Sequence, residues 1–244
     1  MHNNFQSLVI GSMPDEQQRI SDVLEAGVEQ PQVLLWQYDQ AAIILGCSQR
    51  PDEGQQWRAE RAGYPLMRRR SGGGAVFAGP WMLSVTVFIP TEHPLAKQNI
   101  IEIFSWFEHI WVDTLMACDI PCRGVDQAMI EQSKIISQQE DVKWACYASL
   151  SHGEVVSPDG RKLVGLAQIR KRKGIALVSG LHLSPCDWQQ LSSIVVDNPQ
   201  RGDTLAGLNS DAQSLSGIAV EQLLPRVIDV LMQRVSAAFE QKTA

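Results

Sequence analysis

Residues Met67–Phe77 read Met-Arg-Arg-Arg-Ser-Gly-Gly-Gly-Ala-Val-Phe, so three arginines run directly into three adjacent glycines and an apolar segment follows. Adjacent glycines let the backbone adopt positive φ and let a ligand lie against bare N–H groups. Arginine side chains offer planar, permanently charged forks that suit a phosphate or a carboxylate. This segment predicts a loop that holds an anionic group close to the main chain.

The loop differs in spacing from the common phosphate-binding loops. It has neither Gly-x4-Gly-Lys-Ser/Thr nor a Gly-x-Gly-x-x-Gly that opens a helix. An alternative interpretation is therefore a flexible glycine turn that joins two strands, with the arginines in solvent.

Composition sets limits on the class of protein. The chain has 244 residues, 44% of them apolar, and a net charge of −6, which fits a globular protein and argues against wholesale binding to nucleic acid. Its cations cluster at Arg68–Arg70 and at Arg161–Lys173, either around one anionic ligand or as two solvated turns. Because no apolar run is long enough to span a bilayer and the first residues lack a signal-peptide pattern, we expect a cytoplasmic protein without membrane partners.

The five cysteines are odd in number and include no Cys-x-x-Cys pair. This pattern argues against a disulfide framework and against a zinc site. We expect Cys118 and Cys186 to be buried thiols.

Hydrophobic periodicity and turn residues predict an α+β fold of antiparallel strands and separate helices. Residues 33–38 and 41–45 are expected to pair around Asp39-Gln40, and residues 192–216 are expected to form a mobile surface segment. The other strands are expected at 65–69, 75–77, 82–89, 154–157, 162–170 and 175–183. The helices are expected at 15–26, after the loop at 46–51 through Trp57 and Ala62, and at 98–116, 185–192 and 219–239, the last interrupted or started at Pro225.

A second motif follows the turn signal Pro158-Asp159-Gly160 and places Lys162 on a strand between apolar neighbours. A lysine with a packed stem and its head in a cleft can neutralise a phosphate or polarise a carbonyl group. Gly165 would let a ligand approach the strand backbone. The alternative is a lysine that is only solvated.

Two further candidates lie just upstream. Cys146 is either a buried, inert thiol or a nucleophile activated by His152 or Lys162. Glu154 could bind a metal ion, orient Lys162, or face solvent.

Together these segments resemble the lipoate-protein ligase and octanoyltransferase superfamily, which includes the biotin protein ligase catalytic domain. The resemblance rests on Arg69–Phe77 and on residues 160–168, Gly-Arg-Lys-Leu-Val-Gly-Leu-Ala-Gln, in that order. A weaker match is Leu-Gly-Cys-Ser-Gln at 45–49, similar to the family's Gly-x-x-Gln loop. The resemblance implies a mixed, largely antiparallel sheet with packed helices. Many ligases of the family also carry a C-terminal accessory domain, but little sequence follows Phe239. We therefore expect one catalytic domain over residues 1–244, with the accessory domain absent or on a separate chain.

The resemblance also implies the chemistry. Ligases of this family use ATP and Mg²⁺ to make an acyl-adenylate from lipoate or octanoate, and pass the acyl group to one lysine of a lipoyl-carrier domain. Carried over, Lys162 would contact the activated carbonyl and phosphate, and the tail would lie along apolar strand residues. The predicted binding residues are Gln49, Arg69, Arg70, Ser71, Gly72, Gly73, Gly74, Ala75, Val76, Val164, Gly165 and Ala167.

One departure and one rival keep three functions open. Many relatives follow the glycine loop with His-Asp, whereas Ala78-Gly79 stands here. Some octanoyltransferases place a nucleophilic cysteine shortly before the lysine strand, as Cys146 is placed here. Such an enzyme would take the acyl group from an acyl carrier protein and need no ATP. The leading interpretation is the ATP-dependent ligase, the second is the transferase, and the third is a non-catalytic module that binds lipoate or a nucleotide.

Overall fold

The structure is a computed structural model that describes residues 7–241. Its strands are β1 (Val9–Gly11), β2 (Gln32–Tyr38), β3 (Ala42–Leu45), β4 (Leu66–Arg68), β5 (Val76–Ala78), β6 (Met82–Ile89), β7 (Arg123–Gly124), β8 (Val155–Val156), β9 (Lys162–Lys171) and β10 (Gly174–His182). Its helices are α1 (Met13–Ala26), α2 (Glu53–Ala62), α3 (Ile100–Ala117), α4 (Gln127–Gln139), α5 (Trp188–Val196), α6 (Gln200–Leu208), α7 (Ala212–Ser216) and α8 (Val220–Gln241).

The strands form two sheets that pack against each other. The larger sheet has the order β1-β2-β6-β10-β9-β8-β7 and is antiparallel except for the β1–β2 pair, while the smaller sheet has the order β4-β3-β5. One face of the larger sheet is covered by α1, α5 and the smaller sheet, and the other face by α3 and α8. This architecture confirms the predicted α+β fold with a largely antiparallel sheet.

The predicted helices form where side chains can cap their free N–H groups. Asn99 and Glu102 make a reciprocal capping box at the start of α3, and Ser12 caps α1. The apolar stripe of α3 then buries Phe107 and Trp111 against the larger sheet. These local signals explain why the helices predicted at 15–26 and 98–116 are confirmed.

The pairing predicted around Asp39-Gln40 is wrong. Strand β2 pairs with β1 and β6 in the larger sheet, whereas β3 pairs with β4 and β5 in the smaller one. Every residue of β3 is buried, which fits its place as the central strand of the smaller sheet with both faces covered.

The mobile surface segment predicted at 192–216 is also wrong, because it contains α6 and α7. Its polar residues act as caps rather than as loop formers: Asp211 accepts the Ser214 N–H at the start of α7. Asn209 donates from its side-chain amide to the Tyr147 carbonyl and is buried.

Three smaller expectations are corrected. Helix α4 was not predicted, since its apolar residues are few and its Asp126 cap is the main signal. Helix α8 continues through Pro225, which sits near its N-terminal end and neither starts nor interrupts it. Cys118 is buried as expected, but Cys186 is only partly buried. Within residues 7–241, none of the helices has the length and apolarity needed to cross a membrane.

Candidate active site

A cavity that opens to solvent lies between the two sheets and α1. The glycine-loop segment contributes Arg69, Ser71 and Val76 to its wall, and strand β9 contributes Gly165 and Ala167. The two motifs that carry the family resemblance therefore border one cavity, as the sequence predicts. The remaining lining residues are Met13, Glu16, Gln17, Tyr38, Ile44, Met82, Ser84, Cys146, Tyr147, Leu166, Ile169, Val178, Ser179 and Gly180.

The glycine loop takes a backbone path that side chains would obstruct. Gly73 has a φ of 99°, and a Cβ at Gly74 would overlap the backbone of Trp144 and Cys146. The N–H groups of Gly72, Gly73 and Gly74 donate no hydrogen bond within residues 7–241. They are the bare donors that an anionic group requires.

The side chains of Arg69 and Arg70, which precede the glycines, point in opposite directions. Arg69 donates to the carbonyls of Gly72 and Gly74 at 2.8 and 3.1 Å, and so braces the loop from inside. Arg70 forms an exposed ion pair with Glu25 at 3.4 Å and does not line the cavity. Arg70 therefore does not lie where a ligand-binding residue was predicted, and Arg69 is the arginine at the cavity wall.

Cys146 reaches the same wall through backbone pairing with Ala75. Its N–H donates to the Ala75 carbonyl at 2.8 Å, and the Ala75 N–H donates to the Trp144 carbonyl at 2.7 Å. The thiol is partly buried, and Nη2 of Arg69 donates to its Sγ at 3.6 Å. This pairing holds a potential nucleophile beside the glycine loop and a cation.

Lys162 faces the cavity side of the sheet because β9 contains a bulge. Val155 pairs with Val164 and Val156 with Lys162, so one residue of β9 is unpaired between them. In a regular strand, Lys162 and Gly165 would point to opposite faces, since they are an odd number of residues apart. With the bulge, a Cβ at Gly165 would lie 3.5 Å from Cε of Lys162.

The ammonium group of Lys162 is fully occupied. It donates to Glu154 Oε1 at 2.6 Å and to the carbonyls of Cys146 and Ser149 at 3.1 Å each. The side chain is buried, and its charge lies 4.9 Å from the centre of the Tyr147 ring. An ammonium has three N–H donors, so none is left for a ligand in this conformation.

Glu154 is committed to the protein rather than to an ion. Besides Lys162, its carboxylate accepts the N–H groups of Ser151 and Leu166 at 2.9 and 3.4 Å. Burial raises the pKa of Glu154, and the neighbouring ammonium opposes that rise. Residues 7–241 contain no cluster of three or more His, Cys, Asp or Glu side chains that fits a metal ion. These contacts match the alternative in which Glu154 orients Lys162, and the metal-binding role stays a prediction.

Two other predicted binding residues, Gln49 and Val164, have structural roles. Gln49 accepts the Gly46 N–H at 2.9 Å and donates to the Trp144 carbonyl at 3.0 Å, so it ties two loops together. Val164 belongs to the core on the opposite face of the sheet and cannot contact an acyl chain in the cavity. The bulge in β9 is the reason, because it gives the cavity face to Gly165 and Ala167.

Several cavity residues escaped the sequence analysis. Tyr147, whose hydroxyl donates to the Gly180 carbonyl at 2.8 Å, follows Cys146 directly and could have been inferred from it. Glu16, Tyr38 and Ser84 come from three distant segments, and no local pattern links them.

The contact between the Gly46 and Gly73 loops gives a stability prediction. A Cβ at Gly46 would overlap the Gly73 carbonyl, whereas a Cβ at Gly72 would meet nothing within 4 Å. We expect Gly46→Ala to lower the free energy of unfolding by about 1–3 kcal/mol, and the control Gly72→Ala to change it by less than about 0.5 kcal/mol. Urea denaturation of both variants checks this, and equal effects would refute the tight contact.

A buried histidine behind the site gives a pH prediction. His182 stacks on Tyr147 with ring centres 4.4 Å apart, and its Nε2 has no hydrogen-bond partner among the described residues. Burial, with a contribution from the Lys162 charge, lowers its pKa from 6.5 to about 3. The unfolded chain therefore binds a proton near pH 6.5 that the folded protein refuses, so stability falls as the pH drops below 6.5.

The matched variant for this effect is His182→Phe, which keeps an aromatic ring in the stack. Between pH 7.5 and pH 5, we expect the wild type to lose about 2 kcal/mol of unfolding free energy relative to the variant. Comparing the two proteins cancels the other titrating groups. Parallel pH profiles in urea denaturation would contradict a buried neutral imidazole.

The model of one protein family covers nearly the whole chain. The lipoyl protein ligase A/B catalytic domain matches residues 16–240, a range that includes the glycine loop, Cys146 and Lys162. The chain belongs to this family. Among curated protein sequences, a comparison with this chain finds no match.

Solved structures agree with the family assignment at the level of the fold. Lipoate-protein ligase A bound with ATP has a TM-score of 0.74 and 13% identity, with 98% of this chain and 86% of that chain covered. The bipartite lipoate protein ligase of Thermoplasma acidophilum, studied with its E2 lipoyl domain, has a TM-score of 0.71 and 15% identity, with 98% of this chain and 84% of that chain covered. LipL1 of P. falciparum in complex with lipoate has a TM-score of 0.64 and 14% identity, with 96% of this chain and 60% of that chain covered. The protein is thus a lipoate-protein ligase-like enzyme of protein lipoylation.

Proposed function

We propose that this enzyme moves a medium-chain acyl group, octanoyl or lipoyl, from an acyl carrier protein to a lysine of a lipoyl-carrier domain through a thioester on Cys146. The observation that carries the proposal is the position of the Cys146 thiol, beside Arg69 and the unpaired N–H groups of the glycine loop. The nucleophile therefore lies where an acyl carbonyl can be bound and its developing negative charge stabilised.

In the first half-reaction, the Cys146 sulfur attacks the carbonyl carbon of the incoming thioester as a thiolate. A new C–S bond forms to Cys146 while the C–S bond to the carrier breaks. The proton lost by the Cys146 thiol is taken up by the departing carrier thiolate. The tetrahedral oxygen carries the negative charge, and the glycine-loop N–H groups and the Arg69 guanidinium, which lie beside the Cys146 sulfur, are the donors that would stabilise it.

In the second half-reaction, the neutral amine of the acceptor lysine attacks the Cys146 thioester. An amide bond forms, the C–S bond to Cys146 breaks, and a proton of the amine returns the sulfur to the thiol. The acceptor lysine reaches the site as an ammonium and must first lose a proton to solvent.

Lys162 is a positioning residue in this mechanism. Its ammonium binds the carbonyls of Cys146 and Ser149, so it fixes the short segment that presents the thiol. Because Glu154 neutralises it, the pair adds no net charge next to the reacting sulfur.

This route needs no metal, and the two acidic side chains that the structure places next to the site do not fit one. Glu154 is paired with Lys162, and Glu16, the other carboxylate near the cavity, accepts a hydrogen bond from Tyr38. We therefore assign no step to Mg²⁺.

The second candidate is the ATP-dependent ligase. Its support is the fold shared with an ATP-bound lipoate-protein ligase A and the arginine and glycine loop at the cavity wall. This route would require Lys162 to leave Glu154 and turn toward a phosphate.

A single catalytic domain over residues 1–244 and a cytoplasmic location stay predictions of this proposal.

The two routes are separated by their acyl donors. We expect purified enzyme to modify a lipoyl domain from octanoyl-acyl carrier protein without ATP, as a mass increase of the intact lipoyl domain. Modification only from free octanoate or lipoate with ATP and Mg²⁺ would overturn the thioester route in favour of the ligase. No modification from either donor would favour a binding module.

A further inference from the structure

A buried polar pair occupies one side of the acyl cavity. Glu16, in the first turn of α1, is 1% exposed, and Tyr38, at the end of β2, is 5% exposed. The Tyr38 hydroxyl donates to Oε2 of Glu16 at 2.6 Å. The other oxygen, Oε1, is buried and has no hydrogen-bond partner within residues 7–241. Such a group is costly to leave unpaired, and both residues line the cavity.

Strand register places this pair across the cavity from the catalytic segment. Gly165, Gly180, Ser84 and Trp36 lie side by side on β9, β10, β6 and β2. Three strand spacings of about 4.8 Å separate β9 from β2, or about 14 Å. Tyr147, next to Cys146, contacts the β9 and β10 end of this row. Cys146 and Glu16 line the same cavity, so an acyl chain on Cys146 that lies along this row extends toward Glu16.

We propose that Glu16 and Tyr38 recognise the distal end of the acyl chain and favour chains whose end carries a hydrogen-bonding sulfur or oxygen atom over plain alkyl chains. This inference rests on the proposed function, since it takes the cavity to hold the acyl group. It ranks the lipoyl group, whose end carries sulfur, above the octanoyl group that the same route also transfers. A chain with a polar end supplies the partner that Oε1 lacks. A terminal methyl group leaves that oxygen unpaired, which is the arrangement that discriminates most strongly against an analogue.

The protonation state of Glu16 decides which hydrogen bond forms. Burial raises its pKa, against the opposing effect of the Ser84 and Tyr38 hydroxyl groups. A protonated Oε1 donates to the ligand, and an ionised one accepts from it. A hydroxyl group satisfies either case, whereas the sulfur of a dithiolane ring only accepts. The flexible side chains of Met13 and Met82 line the same region and can adjust to the end of the chain.

The test measures binding by calorimetry, using 8-hydroxyoctanoate and nonanoate, which differ only in a terminal hydroxyl or methyl group. We expect the wild type to bind the hydroxy acid roughly tenfold more tightly. The double variant Glu16→Leu/Tyr38→Phe removes both polar partners and should reverse the preference, because an apolar wall favours the methyl group. Glu16→Gln keeps the size and the hydrogen bonding and should keep the preference.

Wild type that binds nonanoate as tightly as the hydroxy acid, or a double variant with an unchanged ratio, would overturn the inference, as would binding of neither acid. Binding is measured without acyl donor, acceptor domain or ATP. Failure of the thioester route therefore leaves the ratio readable, and loss of the ratio in an enzyme that still transfers octanoyl groups defeats only this inference.

Discussion

Cys146→Ser should lower acyl transfer from octanoyl-acyl carrier protein to a lipoyl domain by at least about a thousandfold. A serine hydroxyl is scarcely ionised at neutral pH, whereas a thiol is a strong nucleophile, so the covalent route closes. Folding should persist, because Cys146 contributes to the structure mainly through its backbone N–H and carbonyl groups, which serine retains. The rate is measured by the mass of the acceptor domain over time, with the thermal unfolding midpoint as the check on folding.

Cys47→Ser is the matched control for this variant. Cys47 lies on the loop next to the glycine segment, where its N–H donates to the Ser71 carbonyl, but its side chain is exposed. We expect the control to transfer at the wild-type rate. Undiminished transfer by Cys146→Ser would eliminate the thioester mechanism.

Lys162→Met should cost about 3–5 kcal/mol of unfolding free energy and abolish transfer. Methionine fills the space of the lysine stem but leaves the Glu154 carboxylate and the carbonyls of Cys146 and Ser149 without their donor. An unpaired buried charge is among the most destabilising consequences of a single substitution. Urea denaturation at pH 8 measures the cost.

The loss should become smaller as the pH falls. Burial raises the pKa of Glu154, and removing the ammonium takes away the group that opposes the rise. The folded variant therefore binds a proton that the unfolded chain releases at the same pH, so its stability increases from pH 8 toward pH 5. A variant with the same deficit at both pH values would contradict this account of the pair.

A second substitution separates stability from activity. In Lys162→Met/Glu154→Gln the buried carboxylate is gone, while the carbonyls of Cys146 and Ser149 still lack the ammonium that binds them in the wild type. We expect this double variant to recover most of the stability and none of the transfer. Recovery of transfer would show that Lys162 does not position Cys146.

The sequence alone predicts that the glycine loop and the lysine hairpin border one cavity, because both carry strong local signals in a fixed order. It could not show which arginine faces inward, since Arg69 and Arg70 are adjacent and have the same chemistry. The orientation depends on the carbonyls of Gly72 and Gly74, which take their positions only in the folded loop.

The bulge in β9 is a second limit on the sequence analysis. Strict alternation from Lys162 would put Val164 on the same face, and the sequence contains no signal that Leu163 breaks the alternation. The Glu16–Tyr38 pair is a third limit, because it forms only when α1 packs across β2. The polar residues in 192–216 suggest a loop from sequence, but side chains such as Asp211 accept hydrogen bonds at helix starts.

The most direct test of the account is the intact mass of the enzyme, quenched in acid after mixing with octanoyl-acyl carrier protein in the absence of ATP and of any lipoyl domain. The account predicts one octanoyl adduct that is released by hydroxylamine, maps to Cys146, and disappears when a lipoyl domain is added. Acceptor modification without an adduct on Cys146, or an adduct confined to another cysteine, would contradict it.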